Sequence, residues 1–404
     1  MKYKKNIFSI NNIAVSKLAN KFGTPLYCYS FEKIRENIRN LKKNFKSISP
    51  LMCFAVKSNP NLRIIHEIGK MGLGADVVSK GELLKALKAK IKPNKIVFSG
   101  VGKTKSELNF AIQKKILLIN AESESEILDI EKIAKLKKIK VNIGIRLNPN
   151  TDAKTLSQIS TGKKENKFGV DKMEFLKLAE YCKNSKNLEL KCLSAHIGSQ
   201  ILNYKPYEKM LKVIDSILKK LNHKFEYIDL GGGMGIRYNQ KDKMLDYKRY
   251  NYFIKKFKNK NKNKIIFEPG RSIIGNAGVL LSKVIHLKEN KFKTFIIIDA
   301  GMNDLMRPAL YNAKHEIIPA KKNKIKQNKL YEFVGPICES TDKFLTIKKF
   351  QKIKKNDLIV IRDTGAYGYS LSSNYNIRPK PAEILVKGSN YSIIQKRQKI
   401  EDLI

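Results

Sequence analysis

Four stretches of this 404-residue chain join a reactive side chain to a backbone break. Lys57 closes the apolar run Leu51-Met52-Cys53-Phe54-Ala55-Val56 and is followed by Ser58-Asn59-Pro60. An amine held against an apolar strand end can shed its charge and attack a carbonyl, although a lysine there is in isolation more simply a solvated strand terminus. His196 stands in Ser194-Ala195-His196-Ile197-Gly198-Ser199-Gln200, ahead of a Gly-Ser turn whose hydroxyl and amides can hold an anion. In Asp229-Leu230-Gly231-Gly232-Gly233-Met234-Gly235, three consecutive glycines let the backbone approach a phosphate and aim its N–H groups at it. Their spacing and late position do not fit a dinucleotide fingerprint. Phe267-Glu268-Pro269-Gly270-Arg271 offers a carboxylate that can face a protonated ring nitrogen, and an arginine for a phosphate or carboxylate.

Taken together, an amine, a flat ring, a glycine cradle and a carboxylate are the parts that hold pyridoxal phosphate. Lys57 would carry it covalently, and Glu268 would keep its ring nitrogen charged so that the ring draws electrons from a substrate α-carbon.

These residues must be placed by strands. Apolar strands are expected at 51–56, 73–78, 96–98, 116–119, 141–147, 190–195, 227–230 and 265–267, separated by amphipathic helical patterns. Ser30 can cap a helix over 31–45, with Ile34, Ile38 and Leu41 at helical spacing. Eight strands alternating with helices over roughly 240 residues predict a (β/α)8 barrel, a TIM barrel in the α/β class, whose ligands bind at the strands' carboxyl ends. A doubly wound open sheet is the alternative. Beyond Arg271, β-rich runs at 279–285, 294–299, 331–334 and 358–362 predict a second, mainly antiparallel β domain, joined by a strand near Leu26. The expected division is an N-terminal segment 1–29 that contributes to the β domain, a barrel over 30–275 and a C-terminal β domain over 276–404. The Lys/Asn runs at 255–264 and 321–329 read as surface loops, and residues 1–29 contain a short helical pattern followed by a turn at Gly23 and a strand.

With 81 Lys+Arg against 36 Asp+Glu, the formal charge is +45. The basic residues are spread through every segment, so the excess reads as compositional drift, and neither nucleic acid nor membrane is expected as a partner. Cys28, Cys53, Cys182, Cys192 and Cys338 are odd in number and lack metal-ligand spacing, which predicts reduced thiols, no metal and a cytoplasmic location. The basic start is not followed by an apolar stretch of signal-peptide length.

The Phe-Ala-Val-Lys-Ser-Asn, His-Ile-Gly-Ser, Gly-Gly-Gly-x-Gly and Glu-Pro-Gly-Arg segments resemble those of the barrel-type pyridoxal phosphate-dependent decarboxylases, which share an alanine racemase-like fold. Asp299-Ala300-Gly301-Met302-Asn303-Asp304-Leu305-Met306-Arg307-Pro308-Ala309-Leu310-Tyr311, Gly335-Pro336-Ile337-Cys338-Glu339-Ser340 and Asp363-Thr364-Gly365-Ala366-Tyr367 narrow the resemblance to the diaminopimelate decarboxylase family. That resemblance implies a homodimer with shared active sites, which removes carbon dioxide from meso-2,6-diaminopimelate to leave L-lysine. It implies that Lys57 carries the cofactor, that His196 lies against its ring, and that Ser199, Gly233, Glu268, Pro269, Gly270 and Arg271 hold its phosphate and nitrogen. Arg271, Arg307 and Tyr311 would bind substrate, the last two at the distal carboxylate. Glu339 would meet the distal ammonium, Tyr367 would touch cofactor and substrate, and Cys338 would be the proton donor supplied by the neighbouring subunit. A related decarboxylase acting on ornithine, arginine or carboxynorspermidine would keep Lys57 and Glu268 but would have no use for Arg307 and Tyr311. A racemase would need a base on each substrate face, and a non-enzymatic cofactor carrier would leave Cys338 and Glu339 unexplained.

Overall fold

The computed structural model describes residues 1–239, 241–323 and 326–404, which form two compact units. One comprises Ile38–Ile236 and Lys243–Ser272; the other comprises Met1–Asn37, Arg237–Asp242 and Ile273–Ile404.

The first unit is the expected barrel. Its eight parallel strands are Leu51–Ala55, Gly74–Val77, Ile96–Phe98, Leu118–Ala121, Val141–Arg146, Leu188–Ser194, Tyr227–Asp229 and Lys264–Phe267, closed into a ring with neighbours in chain order. Closure is made where Ile266 and Phe267 pair with Leu51 and Met52. Each strand is followed by a helix, and six of these helices have a start set by a side-chain cap. Asn61, Ser79, Thr104, Ser123, Asp171 and Asp246 each accept a backbone N–H at a helix N-terminus, and Thr104 forms a reciprocal capping box with Glu107. A side-chain cap of this kind is worth about 1 kcal/mol, so these six strand-to-helix turns are fixed one at a time by the sequence. The helices bury one stripe, as Leu62–Lys70 does with Ile64, Ile65 and Ile68.

The barrel interior is graded. Cys53, Val97, Leu118, Cys192 and Ile266 form an apolar layer. Asp76, Ser99, Asn120, Ser194, Asp229 and Glu268, all buried, lie at or just past the strands' carboxyl ends. Buried polar groups persist only when bonded to one another or to a ligand, so the grading places the chemistry at that end.

The second unit is a nine-stranded, mainly antiparallel sheet. Its long strand Gly278–Glu289 pairs antiparallel with Leu26–Ser30, Thr294–Ile298 and Leu358–Ile361. Leu26–Ser30 in turn pairs parallel with Ala382–Lys387, so both ends of the chain build the sheet. Leu26, Cys28, Val279, Leu281, Val360, Ile384 and Val386 form its core.

The helical pattern expected within the first 29 residues is the helix Val15–Phe22, which a small antiparallel sheet of Lys2–Lys4, Ile7–Ile10 and Ile13–Ala14 precedes. One local reading needs correction. The run at 255–264 is mostly the end of the helix Tyr247–Asn261, because Tyr250, Ile254 and Phe257 give it a buried stripe that the lysines disguise. Of the run at 321–329, residues 324 and 325 lie outside the described residues. Among the described residues no helix is long and apolar enough to cross a membrane.

Candidate active site

Lys57 lies one step beyond the first barrel strand, in the single 3₁₀ turn Val56–Ser58, which Ser58 braces by donating from Oγ to the Ala55 carbonyl at 2.7 Å. Its Nζ is 2.7 Å from Oδ2 of Asp76, a fully buried residue of the second strand. Asp76 Oδ1 is buried with no hydrogen-bond partner among the described residues. A buried carboxylate left alone is costly, so the amine holds the aspartate and the aspartate holds the amine in place.

Behind this pair lies a buried polar network. Asn120 Nδ2 donates to Asp229 Oδ2 at 3.0 Å and to Ser99 Oγ at 3.3 Å; Ser99 donates to Glu268 Oε1 at 3.3 Å, and the Gly231 amide donates to Asp229 Oδ1 at 2.9 Å. Burial, then the neighbouring Asp229 and Asp76, push the Glu268 carboxyl well above the ordinary glutamate range. Burial likewise raises Asp229, against the pull of the Gly231 amide. The two carboxyls are close enough to share proton affinity, and burial favours the protonated form of each.

His196, just past the sixth strand, is half-buried. Burial, with the Arg146 and Lys57 charges adding to it, drives its pKa well below the usual imidazole range. The ring is therefore neutral. Because the Gly232 amide donates to its Nδ1 at 3.1 Å, the ring proton belongs on Nε2. The glycine run serves this ring: Gly231 has φ +62°, and a Cβ there would stand 2.5 Å from His196 Nδ1. Gly233, with φ +86°, would place a Cβ 2.4 Å from the Gly198 carbonyl. Arg271, buried at the start of the short helix Arg271–Ile274, donates from NH2 to Ser199 Oγ at 3.1 Å. Thus Lys57, His196, Ser199, Gly233 and the 268–271 segment are all in the barrel unit, at or just past strand carboxyl ends.

Arg307, Tyr311, Cys338, Glu339 and Tyr367 belong to the β unit. Arg307 opens the short helix Arg307–Tyr311, with Pro308 in its first turn. The 335–342 turn is organised by Asp342, which the sequence reading passed over. Its carboxylate accepts from the Ile337 and Met302 amides, both at 2.7 Å, and its carbonyl accepts from the Gly335 amide at 3.0 Å. The segment that leads to Arg307 and the Cys338 turn are therefore tied through one carboxylate. Cys338 is exposed there, whereas Cys28, Cys53, Cys182 and Cys192 are buried. Glu339 accepts from the Tyr375 hydroxyl and from Thr341 Oγ1, and these bonds lower its pKa. Tyr367 adopts φ +57° in a loop fixed where the Gly365 amide meets the Gly275 carbonyl at 2.9 Å.

Sequence reasoning also missed Asp76, Ser99, Asn120 and Asp229. The available signal was a polar residue inside a run otherwise apolar, as in Gly74-Ala75-Asp76-Val77.

Residues 31–275 match the family described as "Pyridoxal-dependent decarboxylase, pyridoxal binding domain". Over 407 residues the chain is 41% identical to a diaminopimelate decarboxylase of Aquifex aeolicus, spanning all of this chain and 96% of that one. It is similar to the crystal structure of Helicobacter pylori diaminopimelate decarboxylase complexed with L-lysine, with a TM-score of 0.92 and 41% identity over 96% of this chain and 98% of that one. The crystal structure of diaminopimelate decarboxylase from M. jannaschii in co-complex with L-lysine gives a TM-score of 0.94 at 37% identity, over all of this chain and 96% of that one. The chain belongs to the diaminopimelate decarboxylase family.

Diaminopimelate decarboxylases are pyridoxal phosphate-dependent lyases, and the barrel residues suit that cofactor on their own chemistry. There is an amine to attach it, a glycine turn too tight for any Cβ, an arginine–serine pair suited to a phosphate, and a buried carboxyl able to face a ring nitrogen.

Proposed function

We propose that this chain removes carbon dioxide from the D-configured carbon of meso-2,6-diaminopimelate to give L-lysine, the closing reaction of lysine biosynthesis by the diaminopimelate route. The observation that carries the reading is Arg307 on a rigid helix turn with Tyr311 one turn on, in a chain 41% identical along its whole length to a diaminopimelate decarboxylase. A distal amine or guanidinium, as on ornithine or arginine, gives such a pair nothing to bind.

When bound, pyridoxal phosphate supplies an electron sink for the pair left on the α-carbon as the carboxylate departs. Lys57 would hold the cofactor covalently, and Asp76 keeps the amine aimed from the adjacent strand. Neutral His196 would lie against the ring and add no positive charge to it. Ser199, Gly233, Gly270 and Arg271 would receive the phosphate, with Pro269 fixing the turn. Glu268 would face the ring nitrogen and keep it charged.

Arg307 and Tyr311 take the distal carboxylate, Glu339 the distal ammonium, and Arg271 and Tyr367 the reacting end. Once the carbon–carbon bond breaks, the pair remains on the α-carbon and the Cys338 thiol gives up its proton there, which sets one configuration. The exposed turn that carries Cys338 supports a role across a subunit boundary, so we read the enzyme as a homodimer in which each site borrows Cys338 and Glu339 from its neighbour. Its free thiols support work in the cytoplasm.

Carbon dioxide release, measured side by side on meso-diaminopimelate, ornithine and lysine, tests the reading. Release from the first alone is expected; comparable release from ornithine or lysine, or none from diaminopimelate, defeats it.

A further inference from the structure

Arg307 is held by two residues that no role above accounts for. Its NH1 donates to the Tyr238 hydroxyl at 2.8 Å and lies 2.9 Å from His315 Nε2. The guanidinium carbon stands 4.7 Å from the centre of the Tyr238 ring, and the Tyr238 and His315 rings meet edge to face at 5.2 Å. His315 is 1% exposed, so its ring cannot trade these contacts for water.

The partners of His315 determine its state. Nδ1 lies 2.8 Å from the Arg362 carbonyl, which can only accept, so Nδ1 carries the proton. Nε2 is then a bare lone pair, and it faces an NH1 that can only donate. The ring is neutral, of one tautomer, and oriented from both ends, much as outer partners orient the ligands of a metal. Both NH1 protons of Arg307 are consequently committed, one to Tyr238 and one to His315. A carboxylate that reaches Arg307 therefore meets a guanidinium whose plane and NH1 side are already fixed. All of these residues belong to the β unit, Tyr238 through the 237–242 segment that follows the glycine run in sequence.

We propose that His315 and Tyr238 are positioning residues that set the specificity of Arg307 for a carboxylate at the far end of the substrate. This rests on the reading of Arg307 given above. An arginine on a loose side chain attracts any anion; one whose fork is locked on one side selects a planar carboxylate presented at the correct angle. His315→Leu removes the acceptor and leaves a similar volume, while His315→Gln restores an oxygen that can accept from NH1. Tyr238→Phe removes the hydroxyl and keeps the ring.

The test uses holoenzyme and compares L-lysine, which retains the distal carboxylate, with 1,5-diaminopentane, which is the same chain without it. For His315→Leu, calorimetric lysine affinity should fall about 10- to 100-fold, with 1,5-diaminopentane affinity unchanged within about twofold. KM for diaminopimelate should rise by a similar factor while kcat stays within about threefold. His315→Gln should recover most of the loss, and Tyr238→Phe, which carries the test alone where His315→Leu does not fold, should lose about 3- to 10-fold in lysine affinity. The proposal is overturned if both ligands weaken equally, if kcat falls as KM rises, or if Gln is as poor as Leu. Wild-type enzyme that binds lysine no better than 1,5-diaminopentane would instead overturn the role assigned to Arg307 itself.

Discussion

At the carboxyl end of the barrel, Asp76, Asp229 and Glu268 are buried; Asp229 and Glu268 are linked through Asn120 and Ser99, and their carboxyls are pushed toward the protonated form. On the 335–342 turn of the β unit, Cys338 is exposed and the Glu339 carboxyl is pulled the other way, toward the charged form. Both regions are rigid, but for different reasons. The barrel fixes its acids by excluding water, which makes their protons part of the folding equilibrium. The turn fixes its backbone through Asp342 and leaves the reactive side chains to solvent, where folding gains little from them. A substitution in the first region should therefore alter stability and activity together, and one in the second should alter activity alone.

The largest effect sharpens this contrast. Lys57→Ala should abolish decarboxylation and remove the visible absorbance that bound pyridoxal phosphate gives the wild type. It also strands Asp76, so thermal stability of the cofactor-free protein should fall as well. Cys338→Ala should lower kcat by about 10²–10⁴-fold, the usual worth of a positioned acid, with an unchanged melting temperature. Mixing the two variants tests the shared site: random exchange gives about half mixed dimers, each with one complete site, so about a quarter of wild-type activity should return. No recovery would confine Cys338 to its own subunit. A melting temperature lowered by Cys338→Ala as much as by Lys57→Ala would erase the distinction between the regions.

A smaller effect is expected at Gly231. An alanine there meets His196 Nδ1 and must also adopt φ +62°, which costs an L-residue roughly 1–2 kcal/mol. Gly231→Ala should therefore weaken pyridoxal phosphate binding by tenfold or more and lower the melting temperature by a few degrees. Binding at wild-type affinity would show that the His196 ring does not need its place on the glycine turn.

How much of this was readable in advance follows the same contrast. Barrel strands announce themselves as apolar runs between breakers, and Lys57, His196, the glycine run and Glu268 sit at those breaks, so one scan finds fold and site together. In the β unit, Tyr331–Val334 was legible from its aromatic and β-branched content, but Ala382–Lys387 and Asn390–Gln395 were not, since the second is largely exposed and polar. Asp76, Asn120 and Asp342 were missed because each is a single polar residue whose meaning lies in partners far along the chain: Asp342 bonds to an amide 40 residues away, and Asn120 to an acid 109 residues away. Spacing cannot show a bond that only the closed sheet creates. Tyr238 and His315 are hidden likewise, since one follows the glycine run and the other lies 77 positions later, by subtraction of their numbers.

The subtlest prediction concerns the proton on Glu268. Its folded pKa is raised above the unfolded value, so the folded state binds the proton more tightly. That contribution is complete below the unfolded carboxyl range, near pH 4, and is lost as pH climbs toward the folded value. In cofactor-free protein, Glu268→Gln replaces an acid that must stay neutral with an amide that always is, and that can still donate toward Asp229. Its melting temperature should exceed the wild type's by a few degrees at pH 8, with the gap closing toward pH 5, even as decarboxylation falls. The Gln variant matching the wild type at every pH would mean that the buried carboxyl is not held neutral, and that the barrel treats its acids no differently from the exposed turn.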